Sequence, residues 1–446
     1  MRTAVQGPAR GGRKGTRRHR AAALTATALA ASLVLTACGS GGPGEESSDA
    51  ALEVWVYQDA SVTVQQAAVE RFNEKSDIKA ELVEVPGQNY QDKMRSAMGT
   101  PNAPDIFFNW GGGSIANFVE KDMLVDLTPE LKKDTEFRDS FIPAILNEGK
   151  IDDKYYGIPM RGMQPVMLFY NKKVFKEAGV EPPKTWDDLL DLVDTFKKEG
   201  VTPFALAGTT PWTELMWVEY LLDRIGGAEV FDRIRGGDSS AWGDPAVLET
   251  ARTIQDLVDR GAFGNKYQSV DYDSGAASTL LAKDKAAMFL MGSWEYSTQQ
   301  SNNPDFAKSD LGWTTFPAMP DGKGDPRNVV GNPTNYWSVN SSLKGERREA
   351  AIEFLKTTAE EAYVKDMVEN GEVPATTDAE EQLASHPAPD FALSAYDLAL
   401  DAPSYTLSWD QALPAQQASP MLTNIQKLFN KQLDPEKFVD AMKALK

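Results

Sequence analysis

The chain has 446 residues, with 46 Lys+Arg against 65 Asp+Glu for a formal net charge of −19, and it holds one cysteine and two histidines. So acidic a body lacks the basic face that nucleic acid requires, and one cysteine with two imidazoles leaves no internal disulfide, no zinc site of N and S ligands and no Ser-His-Asp or Cys-His mechanism. No Gly-rich loop followed by Lys-Ser/Thr is there to cradle a nucleotide phosphate, so what remains is carboxylate chemistry or no chemistry.

The N-terminus reads as an export leader over residues 1–37. Arg13, Lys14, Arg17, Arg18 and Arg20 give a charged start, residues 21–34 are small and apolar, and Leu35-Thr36-Ala37 forms a small-residue cleavage site. The apolar run is shorter than the ~20 residues of a spanning helix. Leu35-Thr36-Ala37-Cys38 resembles a bacterial lipobox, in which Cys38 becomes the lipidated first residue of the mature protein. The pair Arg17-Arg18 hints at twin-arginine export, without the apolar residues usual after it. Residues 38–50 follow as a flexible tether, GSGGPGEESSD after the cysteine, with an r.m.s. reach of roughly 18 Å for a Gly/Ser-rich linker. Two acyl chains on Cys38 suffice for stable anchoring. His19 leaves with the leader, and His386, in Ser385-His386-Pro387-Ala388-Pro389, is expected on a surface loop.

Beyond the tether, 52–57 alternates like a strand, and 61–75 has helical spacing at Val64, Ala68 and Phe72. Strands are expected at 78–85, 105–108, 166–170 and 286–291, helices at 90–98, 211–225 and 245–260, and a short extended segment at 313–316. Thr185-Trp186-Asp187-Asp188 reads as a capping box opening a helix through Phe196. Its acidic pair suits the helix dipole rather than a catalytic dyad. From Arg347 onward the pattern is mainly helical. Strands alternating with helices predict an α/β fold with parallel sheets covered on both faces. About 400 residues are too many for one core and predict two domains.

Local patterns in a fixed order carry a resemblance over nearly the whole mature chain. They are the opening strand with a helix ending in Phe72-Asn73, then Ala103-Pro104-Asp105-Ile106-Phe107-Phe108, Gly157-Ile158-Pro159 and Leu168-Phe169-Tyr170-Asn171-Lys172. After these come Pro183-Lys184-Thr185-Trp186-Asp187-Asp188-Leu189, Ala286-Ala287-Met288 running into Gly292-Ser293-Trp294, and a loop glycine, Gly331. The chain resembles the maltose-binding-protein-like extracellular solute-binding proteins, solute-binding protein family 1, the sugar-binding lipoproteins of ABC importers.

That resemblance implies a two-lobed, periplasmic-binding-protein-like (type II) α/β fold with a hinge and an interlobe ligand cleft. Lobe 1 is expected at 51–161 plus 318–355 and lobe 2 at 165–312 plus 356–446, with hinge crossovers at 161–165 and 313–317. The implied function is capture of a di- or short oligosaccharide and its delivery to ABC permease subunits. The protein would be a monomer on the outer face of the cytoplasmic membrane, touching it through the Cys38 lipid only. It would use no cofactor and no metal and be no enzyme.

Ten tryptophans and 13 tyrosines supply flat apolar faces for the C–H faces of pyranose rings, and nearby polar side chains supply partners for hydroxyls. Aromatic residues beside polar ones at strand ends are the candidates: Asn109-Trp110, Trp212 with Glu214, Trp294-Glu295, Tyr336 and Trp409-Asp410. The family places further contacts in the regions of Gln58-Asp59, Arg161 and Asn332. Trp55, Trp186 and Trp242 are assigned to packing. The segment from Gly331 to Trp337 and that from Tyr405 to Asp410 resemble xylobiose-type binders, so xylobiose or a xylo-oligosaccharide is the first choice, although cellobiose, chitobiose and maltose binders share the pattern. Two alternatives stay open. One is a lipid-anchored glycoside hydrolase, which needs two carboxylates ~5–10 Å apart. The other is a binder of a non-sugar solute, such as a polyamine held by converging carboxylates.

Overall fold

The computed structural model describes residues 51–445, leaving out Ala60 and residues 87–89. The expected leader at 1–37, the lipid site Cys38 and the tether to residue 50 lie outside the described residues. What is described falls in one compact unit.

Among the described residues, thirteen strands build two main sheets and one small hairpin. The first sheet has the order β2 (Ala80–Pro86), β1 (Leu52–Gln58), β3 (Ile106–Asn109), β12 (Tyr336–Val339), β6 (Ile158–Pro159). The second runs β13 (Tyr405–Leu407), β11 (Val329–Asn332), β7 (Gln164–Asn171), β9 (Ala286–Gly292), β8 (Thr202–Ala205), with β10 (Leu311–Thr314) also paired to β7. β4 (Lys150–Ile151) and β5 (Lys154–Tyr155) form the hairpin. The expectation of parallel sheets holds for part of each sheet. β1 pairs parallel with β2 and β3, and β8 with β9, but β12 runs antiparallel to β3 and β6, and β7 antiparallel to β9, β10 and β11. The antiparallel members of the first sheet, β6 and β12, adjoin crossings between the sheets rather than local βαβ turns.

Each sheet has its own core. Ile106, Phe107, Phe108, Val54 and Val56 pack with Trp337, Val339 and Leu355 around the first. The apolar β7 and the wholly buried β9 anchor the second. Helices cover both sheets by the usual logic of an apolar stripe. Trp186–Lys198 starts at a reciprocal cap, Asp188 N–H donating to Thr185 Oγ1 at 3.2 Å and Thr185 N–H to Asp188 Oδ2 at 2.9 Å, and buries Leu189, Leu192, Val193 and Phe196. Trp55, Trp186 and Trp242 are buried in the cores.

The chain passes from the first sheet to the second between Pro159 and Gln164. Its return differs from the expected crossover at 313–317. Residues Leu311–Thr314 pair with β7, and Phe316 is buried in the second core, stacked on Tyr220 at 4.6 Å. The return lies between Asn332 and Tyr336, after β11 has joined the second sheet. The boundary at 356 also moves. Helix Glu361–Glu369 packs on helix Val62–Lys75 through Val64, Ala68, Tyr363 and Met367, with an Arg71–Asp366 ion pair at 2.6 Å. A third crossing therefore follows at residues 370–373, where Met163 N–H donates to Val373 O at 2.7 Å. Gly331 is not in a loop but in β11, with φ +134°, and a Cβ there would meet Gln164 O at 2.7 Å. Only glycine lets β11 lie this close to β7.

Candidate functional site

Between the two sheets lies a cleft of about 750 Å³, within the ~300–1,000 Å³ typical of ligand sites. One wall comes from the second lobe. Trp212 stands in the first turn of helix Pro211–Gly226, which Thr213 secures by donating from Oγ1 to Ala207 O at 3.0 Å and Thr210 O at 2.9 Å. Trp294 opens helix Trp294–Asn302 directly after β9. Its ring folds back over Gly292, where a Cβ would lie 2.0 Å from the indole, so any other residue there would displace the ring. Trp294 Nε1–H donates to Tyr272 Oη at 2.6 Å. Trp212 meets Tyr272 edge-on at 4.7 Å and Trp294 at 6.2 Å. The three rings form one half-buried aromatic surface on the cleft.

The first lobe supplies the facing wall. Trp110, after β3, lies edge-on to Tyr57 at 5.7 Å and to Phe108 at 4.8 Å. Burial and the charges of Asp59 and Asp273 raise the Tyr57 hydroxyl, with Arg161 opposing the rise, and Asp273 of the second lobe lines the same cleft. Arg161 is buried at the first crossing, with its guanidinium 4.8 Å from the Phe108 ring centre. It donates to Asp59 Oδ2 at 2.5 Å and to Tyr57 O at 3.1 Å. Glu372, on the third crossing, accepts from Gly162 N–H at 2.9 Å. Burial raises its carboxyl, and Arg161 opposes the rise. Gln164, Asn332, Asn335, Asp410 and Gln411 add polar groups to the lining.

Of the expected site residues, Asp59, Trp110, Arg161, Trp212, Trp294, Asn332 and Asp410 line this cleft. The other six do not. Trp409 is 1% exposed, stacked flat on Phe231 at 4.5 Å and edge-on to Trp242 at 5.8 Å. Tyr336 is buried in β12, its Oη–H donating to Ile145 O at 2.6 Å. Asn109, opposite it in register, donates to Ser338 Oγ at 2.8 Å and accepts from Gly111 N–H at 2.9 Å, shaping the loop that carries Trp110. Glu295 points inward to Ser278 Oγ at 2.8 Å and Gln299 Nε2 at 2.7 Å, and burial pushes its carboxyl up to about 7. Glu214 is fully buried, neither oxygen has a hydrogen bond, and its carboxyl is pushed up to about 8. Gln58 is exposed and donates to Glu84 at 3.3 Å. His386, expected on the surface, is buried, its Nδ1 accepting from Ala388 N–H at 2.9 Å.

Sequence reasoning missed Tyr57, Tyr272, Asp273 and Glu372. Tyr272-Asp273 is an aromatic–acid pair in a loop, the same signal that singled out Trp294-Glu295. Glu372 carried none, because its crossing was not anticipated. Among the described residues no group of three or more His, Cys, Asp or Glu could hold a metal ion, and no helix is long and apolar enough to cross a membrane.

The sequence model of the bacterial extracellular solute-binding proteins matches residues 57–365. The chain is 31% identical to the multiple sugar-binding protein of Streptococcus mutans over 40% of this chain and 42% of that one. It is 28% identical to the diacetylchitobiose binding protein of Streptomyces coelicolor over 72% of each. A structure from work on xylan utilisation by the thermophilic bacterium Caldanaerobius polysaccharolyticus superimposes with a TM-score of 0.76 at 26% identity, covering 88% of this chain and 99% of that one. The chain spans a little under half the length of the curated relatives it matches first. Its fold is the two-lobed type II fold of periplasmic solute-binding proteins.

Proposed function

The chain belongs to the bacterial extracellular solute-binding protein family, and from that premise we propose that it captures a di- or short oligosaccharide and delivers it to the membrane permease of an ABC importer. The observation that carries the reading is the joined aromatic surface of Trp212, Tyr272 and Trp294, set opposite Trp110 and Tyr57 with carboxylates and amides between them. Such a surface takes the C–H faces of a pyranose, and the carboxylates and amide oxygens accept from its hydroxyls by charge-assisted or neutral hydrogen bonds. Ligand bridging both walls favours the closed arrangement by its differential affinity, and the three crossings are where backbone rotation is absorbed. Xylobiose or a xylo-oligosaccharide is the first choice, supported by the likeness to the structure from xylan-utilisation work. The likeness to a diacetylchitobiose binding protein keeps a chito-oligosaccharide next. In this reading Cys38 carries the lipid, the protein acts as a monomer at the outer face of the cytoplasmic membrane, and no bond of the sugar is broken.

A second reading, a cationic solute such as a polyamine, is favoured by the number of carboxylates on the lining. Thermal-shift screening of the mature protein against neutral disaccharides and spermidine tests both. A ligand at 100 times its Kd adds ~2.7 kcal/mol to stability. A raised melt with a xylo- or chito-disaccharide and none with spermidine is the expected result, and the reverse overturns the sugar reading. Prolonged incubation with xylo-oligosaccharides should release no new reducing ends. Release abolished by changing one cleft carboxylate would instead establish a hydrolase.

A further inference from the structure

The charge on the cleft wall is one-sided. Asp59, Asp273, Glu372 and Asp410 line it, and among the described lining residues Arg161 is the lone cation, with neither Lys nor His beside it. The charge of that cation is already paired by Asp59, with two of its nitrogens going to Asp59 and to Tyr57 O. The carboxylates keep acceptor capacity. Glu372 receives Gly162 N–H at 2.9 Å and Asn370 Nδ2 at 3.2 Å, and Asp410 receives Gln411 Nε2 at 3.0 Å, while each carboxylate can take about four hydrogen bonds. Two further groups point to a hydroxyl-bearing ligand. Asn332 Oδ1 is buried on the lining without a partner, and Arg161, 3% exposed, keeps Nε unpartnered.

Resting on the sugar reading, we propose that this cleft is a charge filter: it takes neutral and amino-bearing oligosaccharides and rejects those that carry a uronic acid. A neutral sugar offers hydroxyl donors to a wall rich in acceptors. A uronate brings a fifth carboxylate to a site whose only guanidinium is engaged, and like charges facing each other across a binding surface are a means of exclusion rather than of affinity. A protonated amino sugar gains what the uronate loses. The filter assigns a role to Asp273, which stands exposed on the second lobe's part of the cleft lining, next to Tyr272, where it meets an incoming ligand as the lobes close.

The test is calorimetric titration of the mature protein with the best neutral disaccharide from the screen, its uronic-acid counterpart, and the methyl ester of that acid. The ester matches the acid in size and removes its charge. The acid should bind at least about tenfold more weakly than the neutral sugar, as expected for like charges a few ångströms apart at an effective dielectric constant of ~20. The ester should recover most of that loss. The gap should narrow with added salt, and Asp273→Asn and Asp410→Asn should each narrow the ratio of neutral to acid affinity. Acid binding as tightly as the neutral sugar, or an ester as weak as the acid, overturns the filter and leaves the sugar reading intact. Failure of every sugar to bind overturns both.

Discussion

Two dipeptides of the same kind, Trp294-Glu295 and Trp409-Asp410, end up facing opposite ways. Each pairs an indole with a carboxylate at the start of a helix, Trp294–Asn302 in one case and Trp409–Ala412 in the other. In the first, the indole lies half-buried on the cleft beside Tyr272 and Trp212 while Glu295 turns into the core. In the second, Trp409 turns into the core against Phe231, and Asp410 lines the cleft. Consecutive residues of a helix stand about 100° apart around its axis, so one of the pair faces the cleft and its neighbour faces the protein. Which one is decided by what precedes the helix. Before Trp294 the chain leaves β9 over Gly292, whose bare Cα accepts the folded-back ring. Before Trp409, Glu219 of helix Pro211–Gly226 accepts from Ser408 Oγ at 2.9 Å and Trp409 N–H at 2.7 Å, pinning the first turn with its indole inward.

The largest effect should separate these two indoles. Trp409→Ala empties a packed site between Phe231 and Trp242 and should lower folding stability by ~3–5 kcal/mol, read from denaturant unfolding. A loss below ~1 kcal/mol would deny it a core role. Next in size, Trp294→Ala should weaken binding of the preferred sugar by at least ~2 kcal/mol, the cost of losing an aromatic anchor, with a smaller change in stability. If the two variants exchange these behaviours, the assignment of faces is inverted.

A smaller effect concerns the carboxylates that face inward. Glu214 rises from an ordinary 4.5 to about 8 and Glu295 to about 7 because burial disfavours their charged forms. A carboxyl with a raised folded pKa binds its proton more tightly when folded, so its contribution is fully present below the unfolded value and is lost as pH rises through the folded one. Melting temperature should therefore fall between pH 4.5 and about 8, and Glu214→Gln should flatten that slope and melt higher than the parent at pH 8. An unchanged slope would mean that Glu214 finds partners when ionised. The smallest effect is expected at Gln58, exposed and outside the cleft. Gln58→Ala should stay within ±0.5 kcal/mol in stability and leave sugar affinity alone, and a tenfold loss of affinity would bring the Gln58 side chain into the site.

Much of the architecture was legible because apolar runs and caps are local signals. β9 is apolar over its whole length and buried over its whole length, and Thr185 and Asp188 form the reciprocal cap that their spacing announces. The crossings were harder. Residues 313–317 and 332–336 both carry Gly or Pro, and what distinguishes them is that Leu311–Thr314 pairs with β7, a contact more than 130 residues away in sequence. The third crossing depends on Tyr363, whose hydroxyl donates to Met160 O at 2.6 Å, again a long-range contact. At the site, the rule of an aromatic beside a polar residue found the right neighbourhoods but not the phase. It named Asn109 with Trp110 and Glu295 with Trp294, where one of each pair is inward, and it passed over Tyr272-Asp273, which satisfies it equally well. Tyr336 misled because β12 is an interior strand, paired with β3 and β6, and all four of its residues are buried.

The most direct measurement is a fluorescence titration of the mature protein with the preferred disaccharide, in the parent chain and in a Trp212→Ala/Trp294→Ala double variant. The account predicts a saturable change in tryptophan emission at one sugar per chain in the parent, and loss of both the signal and the calorimetric heat in the double variant while its far-UV spectrum and cooperative unfolding persist. Saturable binding of undiminished affinity in the folded double variant would contradict it.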